Sequence, residues 1–252
     1  MTADFSGRTV LVTGAASGIG AATAALLAAQ GARMAVLIDR DAERLVGTEV
    51  GCEAEKLAGD VADPAFWDGI AGHLPAIDHA VINAGIAAGA PIESMGFDEW
   101  RDVLRVNLDG AFLSLKAALA KMRDGGSVVL TASVAGLKAE PGTAAYGCSK
   151  AGVIQLARVA AKECAPRGIR VNAIAPGGVD TPIWDQTPFF TDLVREHGGD
   201  RGAAMEAMAK MATPLGRYAT APEIAGQIAF LLSDAASTIT GTALVSDGGY
   251  SL

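Results

Sequence analysis

RTVLVTGAASGIGAATAALLAAQGARMAVLID, Arg8 to Asp39, is the stretch on which the fold turns. Arg8 to Val12 is a short aliphatic and β-branched run and reads as a strand. Thr13 to Gly20 follows at once and carries Gly14, Gly18 and Gly20. Ala21 to Gln30 is Ala-rich, reads as a helix and stops at Gly31. Met34 to Ile38 is a second strand with Asp39 at its end. The spacing G-x-x-x-G-x-G taken alone fits a plain tight turn equally well. Its surroundings favour a dinucleotide. Glycines let a backbone approach a pyrophosphate, and a helix N-terminus attracts its charge.

Asp39 bears on which dinucleotide is expected. A carboxylate at that strand end accepts hydrogen bonds from a ribose 2′-hydroxyl and repels a 2′-phosphate. NAD is therefore expected ahead of NADP. Arg40 is the counter-evidence, since it can pair with a phosphate, although it can also stack on adenine or face water.

Outward from this unit, strands and helices alternate. Further strands are read at Glu55 to Ala58, Asp78 to Ile82, Ser127 to Thr131, Gly168 to Ala173 and within Ile239 to Gly249. Helices are read at Ala42 to Val50, Pro64 to about His73, Phe97 to Lys121, Thr143 to about Cys164 and Pro222 to Leu232. The alternation predicts an α/β, single-domain, doubly wound parallel sheet over residues 1–252. Ligands of such sheets lie outside the carboxyl ends of the strands. Gly14 to Gly20, Asp39, Asp60, Asn83, Ser133 and Pro176 all fall at expected strand ends. Asn83-Ala84-Gly85, taken alone, is as easily a generic turn. Asn107 sits inside the Phe97 to Lys121 helix between apolar neighbours, where a buried amide needs a partner.

The stretch TASVAGLKAEPGTAAYGCSK, Thr131 to Lys150, carries the chemistry. Ser133 follows a strand. Tyr146 and Lys150 lie one helical turn apart on one face. A phenol has an ordinary pKa of about 10, so a base working near pH 7 needs a shift of about 3 units, or about 4 kcal/mol. A cation four residues on stabilises phenolate, and Lys150 is read as that activator. The bland alternative is a surface Tyr-Lys pair.

The chain has 252 residues, 50% of them apolar, and a net charge of −8 with no basic run. That weighs against nucleic acid or an anionic membrane as the main partner. The charge-free stretch from Arg8 to Arg33 is broken by glycines and polar residues and is not read as a membrane span. No signal peptide is read at the N-terminus. Cys52, Cys148 and Cys164 are odd in number and widely spaced, which suggests reduced thiols, a cytoplasmic setting and no metal. His73, His79 and His197 read as lone surface or capping residues. Residues 183–213 change character. Ile183, Trp184, Phe189, Phe190, Leu193, Met205, Met208 and Met211 read as an apolar lid over the substrate, against a helical hairpin packed permanently on the core.

Taken together the chain resembles the short-chain dehydrogenase/reductase family in its compact single-domain branch, over nearly its whole length. The matching residues are Thr13-Gly14-x-x-x-Gly18-Ile19-Gly20, Asp60-Val61, Asn83-Ala84-Gly85, Asn107, Ser133, Tyr146-x-x-x-Lys150, Pro176-Gly177 and Thr181. It departs at Ile82, often a second Asn, and at Cys148, commonly Ala. The gap between Tyr146 and Lys150 is shorter than in enoyl-reductase relatives.

The resemblance implies a Rossmann fold of about seven strands with helices on both faces. It implies hydride transfer between a nicotinamide and a secondary alcohol or ketone. By that resemblance Tyr146 is the general acid/base and Ser133 holds the substrate oxygen. Lys150 binds the nicotinamide ribose and lowers the phenol pKa. Asn107 keeps a helix bend and a water. Gly14, Ser17, Gly18, Ile19, Gly20, Asp39, Arg40, Asp60, Val61, Asn83, Ala84 and Gly85 bind cofactor, as do Tyr146 and Lys150. Pro176, Gly177, Val179 and Thr181 hold its carboxamide end. A homotetramer built through the long Ala-rich helices and the C-terminal strand is implied as well. The mostly apolar surroundings suggest a cyclic, aromatic or otherwise hydrophobic small-molecule substrate. The alternatives are an NADPH-dependent ketoreductase of the 3-oxoacyl type and a non-catalytic dinucleotide sensor.

Overall fold

A computed structural model describes residues 3–252, apart from the side chains at positions 186 and 188. The elements are β1 (Thr9–Thr13), α1 (Gly18–Ala29), β2 (Met34–Asp39), α2 (Ala42–Gly47), β3 (Glu53–Ala58), α3 (Pro64–Ile70) and β4 (Ile77–Ile82). There follow α4 (Phe97–Leu104), α5 (Gly110–Lys121), β5 (Met122–Thr131), α6 (Ala144–Cys164), β6 (Arg170–Pro176) and β7 (Val179–Asp180). The chain ends with α7 (Pro188–Glu196), α8 (Arg201–Ala212), β8 (Ala219–Thr220), α9 (Ala221–Leu232) and β9 (Ala243–Ser246).

Seven strands form one parallel sheet in the order β3-β2-β1-β4-β5-β6-β9. Strands β1, β2 and the later part of β5 are buried at consecutive positions because both faces are covered, whereas the edge strand β3 is charged and exposed or half-buried throughout. Side chains alternate between faces. Leu11, Val36, Ala80 and Val128 join the core beneath α5 and α6. Their neighbours Val10, Val12, Ala35, Leu37, Val81 and Val129 join the opposite core with Leu27 of α1 and Ile224 and Ile228 of α9. The chain leaves β1 toward β2 on one side and later returns to β4 on the other. That reversal opens a crevice above the carboxyl ends of β1 and β4.

Four sequence expectations change. Strand β5 starts at Met122 rather than Ser127, with Gly125 at φ 79° inside it and a register shift against β4. Strand β6 runs later than expected, to Pro176. The helix read over Phe97 to Lys121 is broken into α4 and α5 by a π-helical turn, Arg105–Asp109. Such a turn inserts one residue into the ladder and re-aims a side chain, here Asn107, which is 1% exposed.

The fourth change is His79, which is neither on the surface nor a cap. It stands in β4, with its Nδ1 2.8 Å from Ser127 Oγ and its ring edge-on to Phe5. The Ser127 hydroxyl donates to the Leu232 carbonyl at 2.7 Å. Having one proton, that hydroxyl accepts from His79, which assigns the Nδ1–H tautomer. Burial lowers the His79 pKa to about 4, against an opposing pull from Asp78. The folded ring is therefore neutral, while the unfolded one takes up a proton below about pH 6.5. Stability is expected to fall by on the order of 3 kcal/mol as pH drops from about 6.5 to 4. Urea midpoints measured across that window check this, with His79→Gln expected to flatten the slope. An unchanged slope would refute it.

Helices α7 and α8 stand apart from the two cores. Phe190, Ala204, Met205 and Met208 make their own apolar cluster. Phe189 and Met211, read as part of the apolar cover, are exposed. No helix among the described residues is long and apolar enough to cross a membrane.

Candidate active site

A cleft of about 710 Å³ lies above the carboxyl ends of β1, β2, β4, β5 and β6. The turn after β1 forms one wall. Gly14 has φ 68°, and a Cβ there would meet Asn83 Nδ2 at 2.8 Å and the Ala84 backbone at 2.9 Å. The first turn therefore packs directly on the Asn83-Ala84-Gly85 turn, and only glycine allows that approach. Thr13 Oγ1 ties the two together by accepting from the Asn83 and Ala84 amides at 2.9 and 3.1 Å. Gly18, at φ 54°, faces Thr181, whose methyl would lie 3.4 Å from an added Cβ. Helix α1 begins here with no side-chain cap from Ser17. An uncapped N-terminus beside glycine backbone is a site for a phosphate anion. Gly20 is not in the cleft wall. A Cβ there would fall 2.0 Å from the Gly14 carbonyl, so this glycine serves packing.

At the far end of that wall Asp39 accepts from the Ala16 amide and the Asp41 amide, both at 3.0 Å. Its carboxylate is thus held at the cleft edge by the glycine turn itself. Arg40 and Arg44 line the same end. Asp60 accepts from the Ala62 amide at 2.9 Å and from Arg105 at 2.7 Å. Burial raises its pKa, but the amide and the guanidinium outweigh that and hold it below the ordinary value.

The opposite wall holds the reactive set. Ser133, Tyr146 and Lys150 all line the cleft, with Pro176, Gly177, Val179 and Thr181 beside them. Lys150 is buried and donates to the Thr131 carbonyl at 2.9 Å. Burial pulls its pKa down to about 8. Its Nζ is 5.7 Å from the Tyr146 ring centroid. Burial also pushes the Tyr146 phenol above its ordinary value, and a hydrogen bond with Ser133 offsets this only in part. In the folded chain the phenol thus stands above its ordinary value, whereas Lys150 is expected to lower it. Both groups lose water, and desolvation works against each charge.

Asn107 is outside the cleft wall and behind it. Its Oδ1 accepts from the Ile86 amide at 2.8 Å, and its Nδ2 donates to the Ile86 carbonyl at 2.9 Å and to Ser149 Oγ at 3.1 Å. A Cβ on Gly85 would sit 3.1 Å from Asn107 Oδ1 and 3.3 Å from Lys150 Nζ. Asn107 therefore clamps the turn after β4 against α6 and leaves Lys150 its place.

Sequence reasoning singled out Thr13 only as part of the glycine motif, and it missed Arg105, Glu140, Tyr218 and Tyr250. Thr13 had a signal, a hydroxyl at a strand end. Tyr218 and Tyr250 had none, since both reach the cleft from remote segments. No cluster of metal-ligating side chains occurs among the described residues, and Cys52, Cys148 and Cys164 are free thiols.

A family model described as Enoyl-(Acyl carrier protein) reductase matches residues 14–251. The chain is 41% identical to cis-4-hydroxycyclohexanecarboxylate dehydrogenase of Sinomonas cyclohexanicum, over 98% of this chain and 97% of that one. It is 39% identical to D-threitol dehydrogenase of Mycolicibacterium smegmatis, over 98% and 94%. It is 34% identical to a 3-oxoacyl-(acyl-carrier-protein) reductase of Escherichia coli, over 98% of each. Among solved structures it is similar to L-sorbose reductase of Gluconobacter frateurii complexed with NADPH and L-sorbose, with a TM-score of 0.91, 28% identity and 99% and 98% coverage. It is also similar to carveol dehydrogenase of Mycobacterium avium in complex with NAD, with a TM-score of 0.88, 29% identity and 99% coverage of each chain.

Proposed function

The chain belongs to the short-chain dehydrogenase/reductase family and is an oxidoreductase of that type, and we propose that it transfers hydride between NAD(H) and a hydrophobic secondary alcohol or ketone. The observation that carries this is the convergence of Ser133, Tyr146 and Lys150 on one cleft, opposite an uncapped helix N-terminus and a fixed carboxylate. When bound, NAD would supply the hydride acceptor. Gly14, Ser17, Gly18 and Ile19 would hold the phosphates, and Asp39 the adenosine ribose. Asp60, Val61, Asn83, Ala84 and Gly85, with Pro176, Gly177, Val179 and Thr181, would complete the cofactor's cleft. Ser133 donates to the substrate oxygen. Tyr146 takes the hydroxyl proton in oxidation and returns it in reduction. Lys150 binds the nearer ribose and balances phenolate. Asn107 is a positioning residue.

Ala87, Ala88, Val134, Trp184, Phe189 and Met208 line the substrate end and favour an apolar ring. The relatives that act on a cyclohexane ring and on carveol support this, although the threitol enzyme takes a polyol. Helices α7 and α8 act as the lid. Arg201 fastens that lid by donating to Asp180, Asp185 and the Thr181 carbonyl at 2.6, 2.8 and 3.1 Å. A second reading, an NADPH-dependent ketoreductase, is favoured by Arg40 and Arg44 beside Asp39. The test is NAD reduction across a panel of secondary alcohols, repeated with NADP. Silence over a broad panel, with NAD still binding, would overturn the catalytic reading.

Exposed Phe112 and Val159 on α5 and α6, and exposed Phe230 and Val245 on α9 and β9, fit a homotetramer. Light scattering that gives a monomer would refute it. Free thiols and a pyridine nucleotide fit the cytoplasm.

The pH dependence has a definite sign. Oxidation needs Tyr146 deprotonated, so kcat/KM for the alcohol rises with pH by about tenfold per unit below the inflection. Reduction needs the proton and falls above it. The inflection belongs to the Tyr146 and Lys150 pair. Profiles with the same direction for both reactions would refute the assignment.

A further inference from the structure

The substrate end of the cleft carries a charge that the hydride chemistry does not use. The turn before α6 is closed by Thr143, whose hydroxyl donates to the Glu140 carbonyl at 2.8 Å. This sets Glu140 in the cleft wall together with Thr143, Tyr218 and Tyr250. Tyr250 arrives from the C-terminal tail, where Asp247 accepts from the Gly249 and Ser251 amides at 2.9 and 2.8 Å. Lys138 locks the two segments together. Its ammonium donates to the Tyr250 carbonyl at 2.9 Å, lies 4.1 Å above the Tyr250 ring and pairs with Glu140 at 3.3 Å. Lys138 is not part of the wall. The Tyr250 hydroxyl, and after it Lys138, hold the Glu140 carboxyl below its ordinary value. Glu140 is thus a carboxylate at neutral pH.

Among the described residues that line this end, Lys150 is the one cation, and it belongs to the reactive set, with one of its donors on the Thr131 carbonyl. We infer that Glu140 is a specificity-determining residue that rejects anionic substrates and accepts a hydrogen bond from a neutral one. The chain therefore acts on uncharged ring alcohols that carry a second donor, such as a hydroxyl or carboxamide, and not on carboxylated ones. An ionised carboxylate has acceptor sites only, so a substrate donor completes it while a substrate carboxylate repels it.

This inference rests on the reading of the cleft as a secondary-alcohol site, and the test separates the two. Calorimetry on the enzyme loaded with NAD compares cyclohexanecarboxamide with cyclohexanecarboxylate, near isosteres that differ in charge. Turnover is followed in parallel with their cis-4-hydroxy derivatives. The amide is expected to bind about a hundredfold more tightly. In Glu140→Gln the ratio should shrink to below about tenfold, and in Lys138→Met, which leaves Glu140 without its cation, it should widen. A structural role alone would not move the ratio in opposite directions. Equal affinities, a tighter carboxylate, no binding of either ligand, or a ratio indifferent to Glu140→Gln would each overturn the inference. A ratio that behaves as stated, with no turnover of either hydroxy compound, would leave the selectivity standing and refute the ring-alcohol chemistry.

Discussion

Tyr146→Phe is expected to lower kcat for alcohol oxidation by about a thousandfold, within the range a positioned general base supplies. The substitution removes one oxygen and leaves the ring. Tyr146 packs in the first turns of α6, and its hydroxyl's partner is Ser133. Loss of that hydroxyl therefore leaves no buried charge and little unsatisfied polarity, so the fold and the NAD affinity should be nearly unchanged. The contrast between lost turnover and kept binding is the diagnostic result. Burial raises the phenol pKa in the protein alone. The rate therefore depends on charges gathered around it at the moment of reaction, and removing the phenol removes what those charges act on. Steady-state kinetics beside NAD titration measures both quantities. A variant that keeps more than about a tenth of wild-type turnover would remove Tyr146 from the proton transfer.

Asp39→Asn is expected to raise the preference for NADP over NAD by about a hundredfold. The carboxylate is not free to swing away. It is pinned by the Ala16 and Asp41 amides, each at 3.0 Å. A phosphate brought within a few ångström of such a part-exposed charge is repelled by about 3 kcal/mol, which corresponds to about a hundredfold. Asparagine keeps the size and one acceptor and removes the charge. Arg40 and Arg44 already line that end and are available to a 2′-phosphate once the repulsion is gone. The loss of one of the two anchoring bonds should also weaken NAD modestly. The ratio of kcat/KM values for the two cofactors is the quantity to measure. A ratio that moves by less than about threefold would show that Asp39 does not select the cofactor.

Much of this molecule was legible because its signals are local. The run from Arg8 to Asp39 alternates strand, glycine turn and helix, and β1, α1 and β2 follow within a few residues. Doubly buried strands announce themselves by uninterrupted apolar runs. Ser133, Tyr146 and Lys150 were legible for the same reason, since a strand end and one helical turn bring them together without help from distant chain. His79 was misread because a lone histidine has no pattern around it. Its burial depends on Phe5, Ser127 and the end of α9, three segments far apart in sequence. The break at Arg105–Asp109 does not show in the apolar spacing, which continues through it; the resemblance alone implied a bend at Asn107, whose amide the structure ties to Ile86.

The sequence by itself determined the order of elements, the parallel sheet and the placing of its glycine turn, acid, hydroxyl, phenol and ammonium at strand ends. Periodicity and turn chemistry are short-range, and the sheet then gathers whatever stands at its carboxyl edge. Only the tertiary structure decided the charge states and the far wall of the site. Desolvation of Tyr146 and Lys150 comes from everything packed around them. Glu140 meets Tyr250 across more than a hundred residues of chain because Lys138 and the folded tail close on one another. Burial and long-range charge are sums over neighbours, and neighbours exist only once the chain has folded.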